Sequence, residues 1–482
     1  MNRKTIWTVL VLFLSLQMLP AQTLYSPNAD IIPPCYNPDA HLGPLPFMPC
    51  PIDTPACLKH DSLKLSLQYP SGNRDKMEQF YNKLSEVMQK GEGNINILHI
   101  GGSHVQAGDL SHTLRTRLTE MVPNLVGDHG MLFPFRALKT NGPWNYRLNY
   151  EGRWQGTRNV LQTPLVDLGL SGTAAITADS SARLHLNLRE EGKWDFTQLH
   201  IFGEASDPSV YPIVITQQGD TLYATQTLLQ QKDYSIFNLY ADGLNQPGYH
   251  FILPQADSVC TIAIQGLSKV KPEPVRKKGQ KRPQPNYSPL DSAHYFVMRG
   301  LLPQSNRSGI TYSESGINGA SVPSWLRCSE QHFCDELSAI SPDLVIFGIG
   351  INDANVPKAE FDSIEFKAQY RELIGRIHKI NPNACFLFIT NNDCWLNTPR
   401  IRRVPNPNTA TIVEAFYALA REHDSALFDV FGLMGGFKSA DKWVKAGMMK
   451  KDHIHFTRQG YFLTGNLLYN ALLRDMLQRT KE

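Results

Sequence analysis

At Asp452-His453-Ile454-His455-Phe456-Thr457 an aspartate and a histidine lie three residues apart, just ahead of a helical pattern. A tight turn sets such a pair side by side, so that the carboxylate orients the imidazole and stabilises its protonated form. Far upstream, Ile100-Gly101-Gly102-Ser103-His104 puts a serine between a short apolar run and another helical pattern. A serine at that junction exposes its hydroxyl, and helix N-terminal amides beside it can hold a developing negative charge. The glycines let the backbone turn sharply and leave room for a ligand. Gly348-Ile349-Gly350-Ile351-Asn352-Asp353 adds an asparagine whose side chain carries two N–H donors suited to an oxyanion. Ser315-Gly316-Ile317-Asn318-Gly319-Ala320 adds glycines able to bring a backbone N–H close to a ligand. Taken singly, each has a plainer reading: Ser103 as a helix N-cap, 315–320 as a turn, Asn352 as an Asx turn or cap, and Asp452 with His455 as a surface cap. Asp353 is expected to orient backbone or cap a helix rather than react.

The elements that must position these residues alternate in type. Residues 75–91 read as a helix with a Phe80, Leu84, Val87 stripe. Residues 95–100 (INILHI) are a buried strand ending at Gly101-Gly102, and Leu110, Leu114, Leu118 and Met121 then mark a helix. The alternation resumes near Gly309: strands at 310–313, 343–348, 385–390 and 426–430, helices at 325–340, 366–380, 409–423 and 457–478. Five apolar runs separated by helical ones imply a five-stranded parallel sheet covered on both faces, a three-layer α/β/α domain. Each of the four segments above then falls at the carboxyl end of a strand or before the last helix, where open α/β sheets bind ligands. Between about 135 and 300 the texture changes to short alternating runs at 182–188, 199–202, 211–216 and 258–265, with turn residues between them. That pattern predicts a β-sandwich or jelly-roll-like domain inserted after the first strand–helix unit.

The four segments together resemble the SGNH/GDSL hydrolase family. Its blocks are a serine after strand one, a glycine after strand two, GxND after strand three and DxxH before the last helix, and all four occur here in order. The resemblance spans about 90–130 and 305–480. It implies Ser103 as nucleophile, His455 as general base, Asp452 as the residue that orients it, and an oxyanion hole made of the Ser103 N–H, the Gly319 N–H and the Asn352 side chain. His453 does not match the base position. The family has an aspartate before the serine where this chain has Gly102; that aspartate is not the acid of the triad, so activity is expected to survive its absence. The resemblance further implies two-step acyl transfer through an acyl-serine, with no metal and no organic cofactor. A member with a β-rich insert resembles the carbohydrate O-acetylesterases, including those acting on peptidoglycan. The implied partner is an O-acetylated polysaccharide, and the insert would be its platform, with Trp144, Tyr146, Trp154 and Trp194 either stacking on sugars or packing in the core. Two alternatives stay open: an O-acetyltransferase using the same acyl-serine, and a glycan-binding protein without turnover.

Composition sets the outer limits. The 482 residues carry 47 Lys+Arg against 44 Asp+Glu, a net charge of +3 that does not point to nucleic acid. Much of the excess lies in the Pro-rich run 269–282, read as a solvated loop. Asn2-Arg3-Lys4, the apolar run 6–19 and Pro20-Ala21-Gln22 form the three parts of a secretory signal, too short to serve as a membrane anchor. Export to the periplasm or cell exterior is therefore expected, without stable membrane insertion after cleavage. The expected division is a signal peptide at 1–22, a Pro/Cys-rich extension at 23–74, the hydrolase-type domain at 75–134 and 305–482, and the insert at 135–304. Export permits disulfides, and of the eight cysteines Cys35 with Cys50 or Cys57, and Cys328 with Cys334, are near enough in sequence to pair.

Overall fold

The computed structural model of the protein describes residues 65–121, 125–189, 193–225, 248–270, 287–305, 307–397 and 402–478, with Pro55, Cys57 and Leu58. The signal segment, nearly all of the Pro/Cys-rich stretch with Cys35 and Cys50, and most of the basic run lie outside the described residues.

Five strands form one parallel sheet: β1 (Asn94–Gly101), β2 (Gly309–Gly316), β3 (Leu344–Gly348), β4 (Cys385–Ile389) and β5 (Ala426–Phe428), in the order β2-β1-β3-β4-β5. They are buried on both faces, which is why they read as continuous apolar runs rather than alternating ones. One face of the sheet, with Ile97, Tyr312, Ile346 and Leu387, packs under α1 (Asp75–Lys90), α3 (Asp109–Thr119) and α10 (Arg458–Gln478). The other, with Leu98, Ile100, Val345, Phe347 and Phe388, packs under α4 (Val322–Leu326), α5 (Glu330–Ile340), α6 (Ser363–Ile380) and α7 (Thr409–Glu422). This is the three-layer α/β/α arrangement.

Local chemistry explains the element ends. Asp75 and Glu78 sit in the first turn of α1, where the helix dipole favours them, and Gly91 ends it in the left-handed region at φ 70°. The single helix expected over 325–340 is two. Pro323 starts α4 inside a Ser321/Ser324 capping box, and Ser329 then caps α5 by accepting from the His332 N–H. A shared helical pattern across that break hid two starts. The short α8 (Val430–Met434) and α9 (Ala440–Lys445) were not expected, because a helix of five or six residues shows no periodicity.

Between β1 and β2 the chain builds two five-stranded antiparallel sheets. One contains Arg147–Glu151, Arg183–Asn187, Val259–Gln265, Tyr211–Thr216 and Thr221–Tyr223; the other contains Gln155–Arg158, Thr173–Thr177, Phe296–Gln304, Phe196–Ala205 and Tyr249–Asp257. Their inner faces share a core of Leu184, Leu186, Ile262, Leu199, Ile201 and Phe296, a β-sandwich. The second sheet's far face sends Ala174, Ile176, Phe202, Val297 and Leu302 into the same apolar cluster as Trp325 and Phe333 of the α/β part. The two parts therefore share a continuous apolar cluster. Tyr146, Trp154 and Trp194 are sandwich core residues at 5%, 4% and 2% exposure, so they cannot stack on a sugar. Cys328 and Cys334 are free thiols, against the expected pairing: the Cys328 Sγ–H turns back to the Ser324 carbonyl at 3.6 Å, while Cys334 lies half-buried on α5. Cys57 has no disulfide partner among the described residues, and the expected partner Cys35 lies outside them.

Across that interface Arg299 of the insert reaches Glu336 of α5 at 3.4 Å, and the Ser171 N–H donates to the same carboxylate at 2.7 Å. Burial pushes Glu336 up to about 7 even though Arg299 and Ser171 pull it down. The folded state thus holds a proton that the unfolded chain releases above its ordinary value of 4.5. Wild type should lose stability through this group as pH rises from 4.5 to about 7, with the loss complete above that range. Glu336→Gln should gain on wild type across that window by up to about 3 kcal/mol. Denaturant unfolding at pH 5 and pH 8 measures the difference; a gap that stays constant would contradict the assignment.

Candidate active site

The carboxyl ends of β1, β2 and β3 are glycines in register, with Gly101 opposite both Gly316 and Gly348. A Cβ on Gly101 would lie 2.2 Å from Val105 Cγ2, and one on Gly316 would lie 2.3 Å from the Gln106 nitrogen. The missing side chains let α2 (Ser103–Gln106) lie directly on the strand ends. Ser103 is thereby presented at the edge of the sheet.

The last helix brings the other partners. Ser103 Oγ is 2.9 Å from His455 Nε2, and His455 Nδ1 is 2.8 Å from Asp452 Oδ2. The second carboxylate oxygen of Asp452 accepts from the Ile454 N–H at 2.9 Å and the His455 N–H at 3.0 Å. Partial burial pushes the Asp452 carboxyl up, but these bonds outweigh it and hold it well below the usual carboxylate range. Asp452 therefore stays ionised wherever the protein works, able to hold the imidazole in one tautomer. The site is open to solvent, with the Asp452 and His455 side chains 40% and 31% exposed.

Gly319 and Asn352 close the arrangement on the other side. Gly319 adopts φ 84°, a conformation suited to glycine, and its surface is open, with Val160 3.9 Å from where a Cβ would stand. Asn352 Nδ2 donates to the Ala320 carbonyl at 2.8 Å and lies 3.5 Å from a Cβ built on Gly102. Its amide thus faces the strand end that carries Ser103, with a second N–H still to give. The Ser103 and Gly319 N–H groups donate to nothing among the described residues. The space above Gly102 is of ordinary van der Waals size, so the glycine there is not forced by crowding. Asp353 accepts from the Val322 N–H at 3.0 Å, which anchors the start of α4, and burial pushes it up to about 7.

Two neighbours of the triad went unassigned in the sequence reading. His104 stacks on His455 with ring centroids 5.3 Å apart, its Nδ1 3.1 Å from the Tyr461 hydroxyl. Burial first, and then the nearby His455, lower His104 to about 3, so a neutral ring backs the His455 imidazole. His453 stacks on Trp395 at 3.8 Å and places Nε2 2.8 Å from Asp441 Oδ1. It pins the turn that carries Asp452 and His455 at a positive φ of 58°, a conformation a non-glycine residue needs help to hold. The adjacent His104 lies inside the serine motif, yet only the fold shows which ring it covers.

The loop that carries Gly319 is tied to the insert's first segment. Gln106 Oε1 accepts from the Asn318 N–H, Asn318 Nδ2 donates to Asn141 Oδ1 at 2.6 Å, and Gln106 Nε2 donates to the Asn141 carbonyl. Trp144 of the same segment donates from Nε1 to Asp109 Oδ1 at 2.7 Å and carries the Arg458 guanidinium 4.3 Å above its ring. Among the described residues no group of three His, Cys, Asp or Glu is placed to hold a metal ion, and no helix is long and apolar enough to cross a membrane.

Residues 281–463 match the GDSL-like Lipase/Acylhydrolase family, a stretch that holds Gly319, Asn352, Asp452 and His455 but begins beyond Ser103. No curated protein matches the chain. Among solved structures, a peptidoglycan O-acetylesterase aligns over 86% of this chain and 99% of its own, at 19% identity and a TM-score of 0.64, which establishes a shared fold. An acetyl xylan esterase and an acylhydrolase from Bacteroides fragilis each align over 34% of this chain, at 17% and 18% identity and over 81% and 76% of their own chains. Both have a TM-score of 0.27 and add nothing to the case.

Proposed function

We propose that this chain, a carboxylic ester hydrolase resembling the SGNH/GDSL enzymes in motifs, family match and fold, is an exported enzyme that removes O-acetyl groups from a polysaccharide such as peptidoglycan or a hemicellulose. The observation that carries the reading is the unbroken chain Ser103 Oγ, His455, Asp452, with bonds of 2.9 and 2.8 Å. Ser103 Oγ attacks the acetyl carbonyl carbon and passes its proton to His455 Nε2. The oxyanion that forms lies between the Ser103 N–H, the Gly319 N–H and the free N–H of Asn352. Collapse expels the sugar oxygen, which takes the proton back from His455 and leaves acetyl-Ser103. Water gives a proton to His455 and attacks the acetyl carbon; the bond from that carbon to Ser103 Oγ then breaks, Oγ takes the proton from His455, and acetic acid departs, ionising in solvent. Solvent access to His455 favours water over a second sugar as acceptor, and so supports hydrolysis rather than acetyl transfer.

In this reading the segment 1–22 directs export and is removed, and the segment 135–304 helps hold the glycan. The comparison with a peptidoglycan O-acetylesterase supports a wall glycan as substrate. The test is acetate release from O-acetylated peptidoglycan and from acetylated xylan beside hydrolysis of p-nitrophenyl acetate. Release confined to xylan would make the substrate a hemicellulose. Asn352→Ala should lower kcat about 10²–10³-fold on all three substrates with little change in KM, because the lost N–H acts on charge that exists only in the transition state. An equal rise in KM at constant kcat would mean that Asn352 binds the ground state instead.

A further inference from the structure

Next to His104, the ring stacked on His455, lies a cavity of about 40 Å³. His99 of β1, Gly348 at the end of β3, Asn391 just past β4 and Phe456 beside His455 are among the residues that line it with His104. Three polar atoms of this lining are buried and have no partner among the described residues: His99 Nε2, His104 Nε2 and Asn391 Nδ2. The His99 and Asn391 side chains belong to residues only 1% and 5% exposed. The opposite nitrogen of each ring is taken. His99 Nδ1 is 2.9 Å from the Tyr312 hydroxyl, and His104 Nδ1 is 3.1 Å from that of Tyr461. Each Nε2 is therefore left to the cavity. Gly348 leaves room beside His99, since a Cβ there would stand 2.8 Å from His99 Nε2.

Buried polar atoms need partners, and the volume exceeds the roughly 10–15 Å³ that one water requires. The occupant must be neutral. No Lys, Arg, Asp or Glu lines the cavity, and burial above all lowers His99 and His104 to about 3, so both rings are uncharged. Water, which donates and accepts at once, suits two neutral imidazoles and an amide. His104 matters for what it covers. Its plane lies 26° from that of His455 at 5.3 Å between centroids, and Phe456 and Tyr461 meet it edge-on at 5.7 and 5.5 Å. Ser103 and Asp452 hold His455 at its two ring nitrogens, which leaves it free to turn about the line between them. The face of His104 opposes that turn only while its own plane is fixed. We propose that the cavity is a hydration site, that water there ties His104 Nε2 to His99 Nε2 and Asn391 Nδ2, and that His104 so held is a positioning residue for His455. The proposal rests on the esterase reading, which requires His455 to carry a proton between Ser103 and the substrate.

A high-resolution crystal structure of the wild-type chain reads the hydration site directly. Density for water within hydrogen-bond reach of His104 Nε2 is expected, and a dry cavity would overturn the proposal. His104→Phe keeps a flat neutral ring that offers nothing to the cavity; Asn391→Leu keeps the volume and removes the amide. On p-nitrophenyl acetate the first should lower kcat about 10–100-fold and the second about tenfold, with KM unchanged. Because both act through the same water, the double variant should be no slower than His104→Phe alone. Losses that multiply, or a raised KM at constant kcat, would sink the positioning role. The downfield proton resonance of His455 Nδ1–H on Asp452 reads the ring without turnover. It should be sharp in wild type and broadened in each variant; an unchanged line in both would mean that His455 needs no such support. If Asn391→Leu fails to fold, the wild-type density and the His104→Phe resonance still decide. A wild-type chain that hydrolyses no ester, yet shows the water and loses the sharp line in the variants, keeps the positioning role and ends the esterase reading.

Discussion

Ser103→Ala should lower kcat on any acetyl ester about 10⁴–10⁶-fold, leaving only the slow reaction that binding and an oxyanion hole support with water as nucleophile. Ser103 Oγ holds the bond to His455 Nε2, and among the described residues no second hydroxyl bonds that nitrogen. His455→Ala should cost about as much, and the double variant little more, since the two act as one unit. The loss belongs to kcat; KM should stay near its wild-type value. Stability should scarcely change, because the lost bond is only partly buried. Steady-state kinetics with p-nitrophenyl acetate, beside a melting curve, reads both. A variant that keeps more than about one hundredth of the wild-type rate would remove Ser103 from the mechanism.

Asp452→Asn should lower kcat about 10⁴-fold while keeping the fold. An amide oxygen can still accept from the Ile454 and His455 N–H groups, so the turn persists. The group facing His455 Nδ1 at 2.8 Å can then become an N–H donor, which turns the imidazole to the wrong tautomer and leaves its protonated form without a counter-charge. In this protein Asp452 is 40% exposed rather than enclosed, so water can replace part of the lost charge and the loss should fall somewhat short of that figure. Rates of the variant and wild type across pH on one acetyl ester decide it. A loss under about tenfold would mean that the pair of His455 and Ser103 suffices without an acid.

The parallel sheet was legible because its strands are buried on both faces and each ends in a turn, as at Gly101-Gly102 after Ile95, Ile97 and Ile100. The four motif segments were legible because three stand at strand ends and the fourth just before the last helix, and the fold brings Ser103, Gly319, Asn352, Asp452 and His455 to one edge. What escaped depends on distance along the chain. Nothing local links His104 to the face of His455, or Trp395 to His453, because those pairs are made by helices and turns that meet only in three dimensions. The break between α4 and α5 was missed since Ser329 is an ordinary polar residue until its side chain caps His332. Trp154 and Trp194 look like sugar platforms in sequence because a core tryptophan and an exposed one have the same letter. The nearness of Cys328 and Cys334 in sequence misled for the opposite reason: one is turned inward against its own helix while the other lies on the next.

Ser103 and His455 are 352 residues apart, and a whole β-sandwich is made between β1 and the strand beside it. Ser103, the proposed nucleophile, is thus synthesised early and His455, its proposed base, near the end. Until the last helix docks, Ser103 is an ordinary alcohol on an unfinished sheet, as inert as any surface serine. The return of turnover after unfolding would therefore keep time with the slowest event anywhere in the molecule, because no part of the chain can acquire the activity ahead of the rest.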